Sequence, residues 1–262
     1  MTENVYTKSS LIEKLKELRN MGWVESGRQG NCGGIGNTVE DFLGIEENNL
    51  PIPNAAEWEL KCQRNNTTSL VTLFHSEPSP TAFRFVPNIL LPKYGWEHKE
   101  AGRKYPNKEM SFRQTISTIS RSDRGFKVVV DRQDEKVLIS FDSSAVDNRH
   151  GEWLKNVEKR AGLKELDPQP YWGFKDLYHK AGTKLKNCFF ICADSKKING
   201  KEHFKYEQIY KLSDFSLDKF ITEIENGNIL VDFDARTGHN HGTKFRCKNN
   251  KIINFYGNIE EI

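Results

Sequence analysis

The sequence predicts an α/β chain of the mixed α+β kind, with a mixed sheet flanked by helices and a β-hairpin near the carboxyl end. Three observations carry this reading. Apolar Trp58, Leu60 and Cys62 alternate with polar Glu57, Glu59, Lys61 and Gln63, the period of a strand. Leu11, Leu15 and Leu18 recur at helical spacing. A second alternation over 228–236 and 243–248 is interrupted by the turn-forming run Thr237-Gly238-His239-Asn240-His241-Gly242.

The amino-terminal helix starts, on sequence, at a capping box of Ser10 and Glu13, and its leucine stripe marks it as a core-packing element. Next, the glycine-rich run Gly33-Gly34-Ile35-Gly36 leads into Thr38-Val39-Glu40-Asp41, a Thr-x-x-Asp start signal for a short amphipathic turn of helix closed by Gly44. Glu40 falls in its first turn on this reading. The run lacks the Gly-Lys-Ser/Thr of a phosphate loop and the third glycine of a dinucleotide fingerprint, so nucleotide hydrolysis has no support. Asn48-Asn49-Leu50-Pro51-Ile52-Pro53-Asn54 is a turn-rich connection that delivers residue 54 to the start of the Glu57–Gln63 strand. Leu70–His75 reads as the adjacent strand, ended by Glu77-Pro78-Ser79-Pro80.

Strand alternation puts Glu59 and Lys61 on one face. A carboxylate there can hold a divalent cation while the lysine orients a water or stabilises developing negative charge, as phosphodiester hydrolysis requires. Alone, Glu-x-Lys also describes many solvated edge strands. Helix acid Glu40, strand-start residue 54, strand acid Glu59 and strand lysine Lys61, in that order, resemble the parts of a PD-(D/E)XK nuclease core.

Further along, Gly125–Asp131 and Glu135–Asp142 read as a hairpin over Gln133-Asp134, and Trp153, Trp172 and Phe174 as core anchors. Tyr171–Lys180 reads as a helix before a strand headed by Lys184. Asn187–Ser195 continues as a buried strand, so the sheet is completed late in the chain and two lobes interleave in sequence.

At 262 residues and 36% hydrophobic content, with a mean hydropathy of -0.70, the sequence excludes a membrane span. No signal peptide is visible. Five cysteines, Cys32, Cys62, Cys188, Cys192 and Cys247, form no Cys-x-x-Cys pair, which favours reduced thiols in a cytoplasmic protein. The net charge of +3 says little about nucleic acid. Its distribution says more: residues 99–132 carry nine Lys or Arg against four acids, which suits phosphate contacts or a solvated basic loop.

In the carboxyl-terminal hairpin, Ile229, Val231 and Phe233 form one face, and Asp232, Asp234 and Arg236 oppose Lys244, Arg246 and Lys248 on the other. A two-stranded ribbon fits the major groove, where arginine grips guanine O6 and N7 and aspartate accepts from cytosine N4. A solvated structural ribbon gives the same pattern, and His239-x-His241 beside Asp232-x-Asp234 is weak as a metal cluster, with no third histidine or cysteine.

Three stretches carry a family resemblance: GGIGNTVEDFLGIEENNLPIPNAAEWELKCQR, SLVTLFHSEP and VDFDARTGHNHGTKFR. Together they resemble the MvaI/BcnI group of Type II restriction endonucleases, relatives of the mismatch-repair nicking enzyme MutH. The resemblance implies a PD-(D/E)XK core of MutH/MvaI type and a second, DNA-recognition lobe. The lobes would comprise 1–90 with 165–210 (catalytic) and 91–164 with 211–262 (recognition). It implies Mg²⁺-dependent cleavage of double-stranded DNA at a short CCNGG-like site by a monomer, with a cognate DNA methyltransferase that is no stable subunit. Glu59, residue 54 and the Leu60 carbonyl would hold Mg²⁺. Lys61 would orient water, Glu40 would support Lys61 or a second cation, and Lys184 would take the group's second active-site lysine position. His75 either approaches this centre or is a local hydrogen-bonder. Arg246 would read guanine, with His239 and His241 near the centre of the site and Asp232, Asp234, Arg236 and Lys244 in support.

One position departs from the pattern: the family's strand-start aspartate is Asn54 here. An amide ligates without charge, so the chain would be poorly active. Either an aspartate was exchanged to let DNA bind uncut, or Glu57 or Glu40 supplies the charge. Two further classes stay open, a MutH-like nicking enzyme of mismatch repair and a non-catalytic DNA-binding protein.

Overall fold

A computed structural model describes residues 6–28, 30, 33–45, 57–65 and 67–262. In chain order the elements begin with α1 (Lys8–Asn20), β1 (Trp23–Glu25), α2 (Gly34–Leu43), β2 (Glu59–Arg64), β3 (Val71–His75), α3 (Leu91–Tyr94) and β4 (Trp96–Glu97). The middle adds β5 (Met110–Ile116), β6 (Arg124–Asp131), β7 (Lys136–Val146), α4 (Gly151–Ala161), β8 (Tyr171–Gly173) and α5 (Phe174–Leu185). Then follow β9 (Cys188–Ile198), β10 (Lys201–Phe215), α6 (Leu217–Glu225), β11 (Ile229–Arg236), β12 (His239–Asn240), β13 (Lys244–Cys247) and β14 (Tyr256–Glu261). The chain divides into two compact units interleaved in sequence: 1–71, 181–219 and 248–262 form one, 72–180 and 220–247 the other. These ends differ from the approximate lobe bounds read from the sequence. Among the described residues, no helix is long and apolar enough to cross a membrane.

The first unit is built on a sheet of order β1-β10-β9-β2, with β14 also on β10. β2 runs parallel to β9, placing Glu59 beside Cys188 and Lys61 beside Phe190, while β10 is antiparallel to its neighbours. Leu11, Leu15 and Leu18 of α1 and Ile35, Val39 and Leu43 of α2 pack with Leu60, Phe189, Ile191, Phe204 and Tyr206 in one core cluster. Each such side chain is worth about 1.5–3 kcal/mol when fully buried, so the amphipathic stripe, more than local propensity, holds both helices in place.

Local signals shift where the structure differs from expectation. α1 begins one turn before the expected box: Thr7 is its N-cap, its Oγ1 accepting from Ser10 N at 3.2 Å while Ser10 Oγ accepts from Thr7 N at 3.0 Å. α2 likewise starts at Gly34, four residues before the Thr38 signal, and Thr38 Oγ1 donates back to Gly34 O at 2.7 Å from inside the helix. Glu40 is therefore in the later part of α2, not its first turn. Gly44 closes the helix in the left-handed conformation at φ 65°, where glycine carries no Cβ penalty. β3 belongs to the other unit's sheet, against β13, and is not the neighbour of β2.

The second unit holds a sheet of order β3-β13-β11-β5-β4, with β12 on β11, and a three-stranded sheet β6-β7-β8. Aromatic rings join the two: Phe112 of β5 meets Phe126 of β6 edge-on at 5.5 Å and Phe233 of β11 at 5.4 Å, and Trp172 packs on Phe245 at 5.2 Å. Trp172 is fully buried, whereas Trp153 and Phe174 are half-buried. The β6–β7 hairpin turns where expected, Asp131 Oδ1 accepting from the backbone N–H groups of Gln133 and Asp134, both at 2.9 Å.

Candidate functional site

In the first unit, Glu59 opens β2 and is 3% exposed. Its backbone N–H donates to Asn187 O at 3.0 Å, which ties the strand start to the turn between α5 and β9. A carboxylate this deep requires compensating charge. Two ammonium groups supply it: Lys61 Nζ at 2.7 Å from Oε1 and Lys184 Nζ at 3.5 Å from Oε2. Lys61 comes from the same strand face, as alternation dictates. Lys184 comes from the last turn of α5, not from the head of a strand as expected, and a cation there also suits the negative end of the helix dipole. Both faces of β2 are covered at its start, since Leu60 is 7% exposed toward the core cluster. The expectation of a half-buried strand with a solvated polar side does not hold for Glu59 or for Gln63, which is 4% exposed and donates to Ser69 O at 2.8 Å.

Neighbouring thiols are inert in this setting. Burial pushes Cys188 up to about 12, with Lys61 drawing it back and Glu59 adding to the rise, so it stays protonated. Cys62 is raised further, by burial first and by the negative charge of Glu40 second. Glu40 is half-buried on α2, the helix that packs against β2. Since Glu59 N–H faces β9, backbone alternation turns the Leu60 peptide groups toward the other edge of β2. Asn54 lies outside the described residues. His75 belongs to the other unit, exposed at the end of β3.

Among the described residues, no group of three or more His, Cys, Asp or Glu is arranged to hold a metal ion. The oxygens of the Glu59 carboxylate are hard donors and suit an ion such as Mg²⁺, which binds through one or two carboxylates and keeps several waters. They fit such an ion with one negative charge, faced by two ammonium groups.

The second unit presents a polar sheet face. Burial along β11 alternates strictly, with Ile229, Val231, Phe233 and Ala235 buried. The opposite side aligns two rows across three strands. In one, Asp232 accepts from Thr115 Oγ1 of β5 at 2.7 Å and pairs with Arg246 of β13 at 3.4 Å. In the other, Asp234 pairs with Arg113 Nε of β5 at 2.8 Å and Lys244 Nζ of β13 at 3.5 Å. Arg113, Thr115, Asp232, Asp234, Lys244 and Arg246 line a concavity of about 390 Å³. Arg236 lies beyond, over the Tyr105 ring at 4.6 Å and 3.2 Å from Glu109. The β11–β13 hairpin is therefore not a free two-stranded ribbon: β5 pairs along β11 from Val231 to Arg236, and the exposed feature is a sheet surface.

His239 and His241 stand exposed beyond β11, their rings edge-to-face at 4.2 Å. Sequence reading missed what fixes their loop. Glu77, after β3, accepts from Thr243 N at 2.9 Å, Thr243 Oγ1 at 3.3 Å and Asn240 Nδ2 at 3.4 Å. Hydrogen bonds to a charged group contribute about 1.5–3 kcal/mol. Glu77→Ala is expected to speed amide hydrogen exchange over 239–243 about tenfold or more at that loss; unchanged exchange at Thr243 would show the loop is held by other means. The basic stretch 99–132 is also partly engaged within the unit: Arg132 pairs with Glu225 at 2.7 Å, Arg121 donates to Gly125 O at 2.9 Å, and Arg124 stacks on Trp96 at 4.0 Å.

A family model described as the MvaI/BcnI restriction endonuclease family matches residues 12–256. Among solved structures, the chain is similar to a complex of restriction endonuclease MvaI with cognate DNA substrate, at 26% identity and a TM-score of 0.76, covering 100% of this chain and 99% of that one. It is also similar to MvaI in the absence of DNA, at 26% identity and a TM-score of 0.55, covering 100% of both chains. No curated protein sequence matches. Fold and matches define the class, a Type II site-specific nuclease with a mixed α+β fold of PD-(D/E)XK type. The chain belongs to the MvaI/BcnI restriction endonuclease family.

Proposed function

We propose that this enzyme hydrolyses double-stranded DNA at a short, CCNGG-like sequence with Mg²⁺, and that the chain as it stands is impaired by Asn54. The observation that carries the catalytic reading is the buried Glu59 carboxylate held between Lys61 and Lys184. Glu59, the Leu60 carbonyl and residue 54 would hold Mg²⁺, which when bound supplies Lewis-acid polarisation of a phosphate oxygen. Lys61 orients the attacking water and, as a fixed cation, stabilises charge developing on phosphate oxygens. Lys184 contacts the scissile phosphate, and Glu40 supports Lys61 or a second cation. His75 is left as a local hydrogen-bonder. The first unit thus serves catalysis and the second recognition, in a cytoplasmic monomer whose cognate methyltransferase is a separate protein. Asn54 favours a second reading, a chain that binds its site without cutting.

Arg246 reads guanine from the polar sheet face, with Asp232 orienting it, and Asp234, Arg236, His239, His241 and Lys244 in supporting contacts. Arg246→Ala is expected to lose about 1–3 kcal/mol of affinity for the preferred duplex and to relax selection at one base pair. Equal affinity for that duplex would remove the role. The target itself is tested by sequencing the ends that the Asn54→Asp protein produces from plasmid DNA with magnesium. Ends at one short G·C-rich motif are expected; random ends would overturn sequence-specific cutting.

A further inference from the structure

The polar sheet face repeats one device. Arg246 enters from β13 and is held by Asp232; Arg113 enters from β5, on the other side of β11, and is held by Asp234 through Nε at 2.8 Å. We infer that Arg113 is a second base-reading residue, a guanine contact in the major groove, not one of the phosphate contacts that its place in a basic stretch suggests. This rests on the reading of the sheet face as the recognition surface.

Five observations support it. Arg113 lines the same concavity as Arg246. Its side chain is 52% exposed even while bonded to Asp234, so donors remain for a ligand. A carboxylate on Nε restrains the guanidinium plane, and a restrained planar fork matches the paired O6 and N7 acceptors of guanine, whereas a phosphate contact needs only a mobile positive charge. Asp232 and Asp234 are two residues apart on β11, about 7 Å by strand rise, about two base-pair rises of 3.4 Å, so the two arginines address different base pairs. The other arginines described above from that basic stretch, Arg121, Arg124 and Arg132, are engaged internally.

The test uses the full chain in EDTA, a duplex pool with a randomised centre, and sequencing of the bound fraction for the parent, Arg113→Ala, Arg113→Lys and Arg246→Ala. Affinity for the selected duplex and its single-pair variants is then measured across a salt series, with circular dichroism confirming fold. Arg113→Ala is expected to lose guanine preference at one position, with discrimination there falling roughly 5- to 150-fold. Arg113→Lys, which keeps the charge but not the fork, is expected to lose the same preference with an unchanged salt slope. Uniform weakening on all duplexes with a shallower salt slope would assign Arg113 to phosphate and overturn the proposal, as would unchanged preference. If Arg246→Ala alone alters selection, the recognition surface stands and Arg113 falls; if neither does, the sheet-face reading itself fails.

Discussion

Aspartate at position 54 is expected to raise the rate of magnesium-supported DNA cleavage by about 10²–10³-fold over the parent chain. Among the described residues, Glu59 is the carboxylate bonded to both Lys61 and Lys184, so the cluster carries one negative charge against two positive ones. A divalent cation approaching it meets net repulsion. One added unit charge at about 4 Å contributes on the order of 4 kcal/mol at the effective dielectric of a protein surface, and each 1.36 kcal/mol is tenfold in rate or affinity. The check is a plasmid cleavage time course over a magnesium titration. A rate that does not move would mean that residue 54 is no ligand, or that the centre is vestigial; unchanged cleavage together with unchanged magnesium affinity favours the binding-only reading.

In that Asn54→Asp background, Lys61→Ala is expected to lower cleavage by about 10²–10³-fold or more while leaving affinity for the selected duplex within a few-fold, the scale seen when one preorganised charge-stabilising donor is removed. Lys61 is the closer of the two cations on Glu59, at 2.7 Å against 3.5 Å, and its side chain is only 14% exposed. Removing it also leaves a buried carboxylate with one partner, so a lower melting temperature accompanies the lost rate. Binding measured on the folded variant separates the two effects. Cleavage retained at the parental rate would remove Lys61 from the chemistry.

How much was legible depended on the range of the signal. Glu59 and Lys61 share a face because side chains alternate along a strand, a local rule. The third member of the cluster could not be read that way: Lys184 lies 125 residues from Glu59, and its helix turn looked like the head of the apolar strand that follows. The start of α2 was obscured because glycine argues against helix. Yet a Cβ at Gly34 would sit 3.1 Å from Ser26 Oγ and 3.3 Å from Arg28 O, so close packing favours glycine there over propensity. At α1, Thr7 and Ser10 are both competent caps by residue type, and the fold uses Thr7, with Ser10 completing the box. β5 carries a weak strand signal because Gln114, polar but turned to the inner side, breaks the pattern of Phe112 and Ile116; its amide oxygen accepts from Ser122 Oγ at 3.1 Å.

The parallel pairing of β2 with β9 has a consequence for synthesis. β2 ends at Arg64, and the strand that holds it begins at Cys188. Ribosomes add about 5–20 residues per second, so a nascent chain waits roughly 6–25 seconds between making the Glu59-x-Lys61 strand and making its mate. Until then neither the β9 ladder nor Lys184 exists to seat Glu59. The proposed centre can therefore assemble only after Cys188 and the strand that follows it have been made.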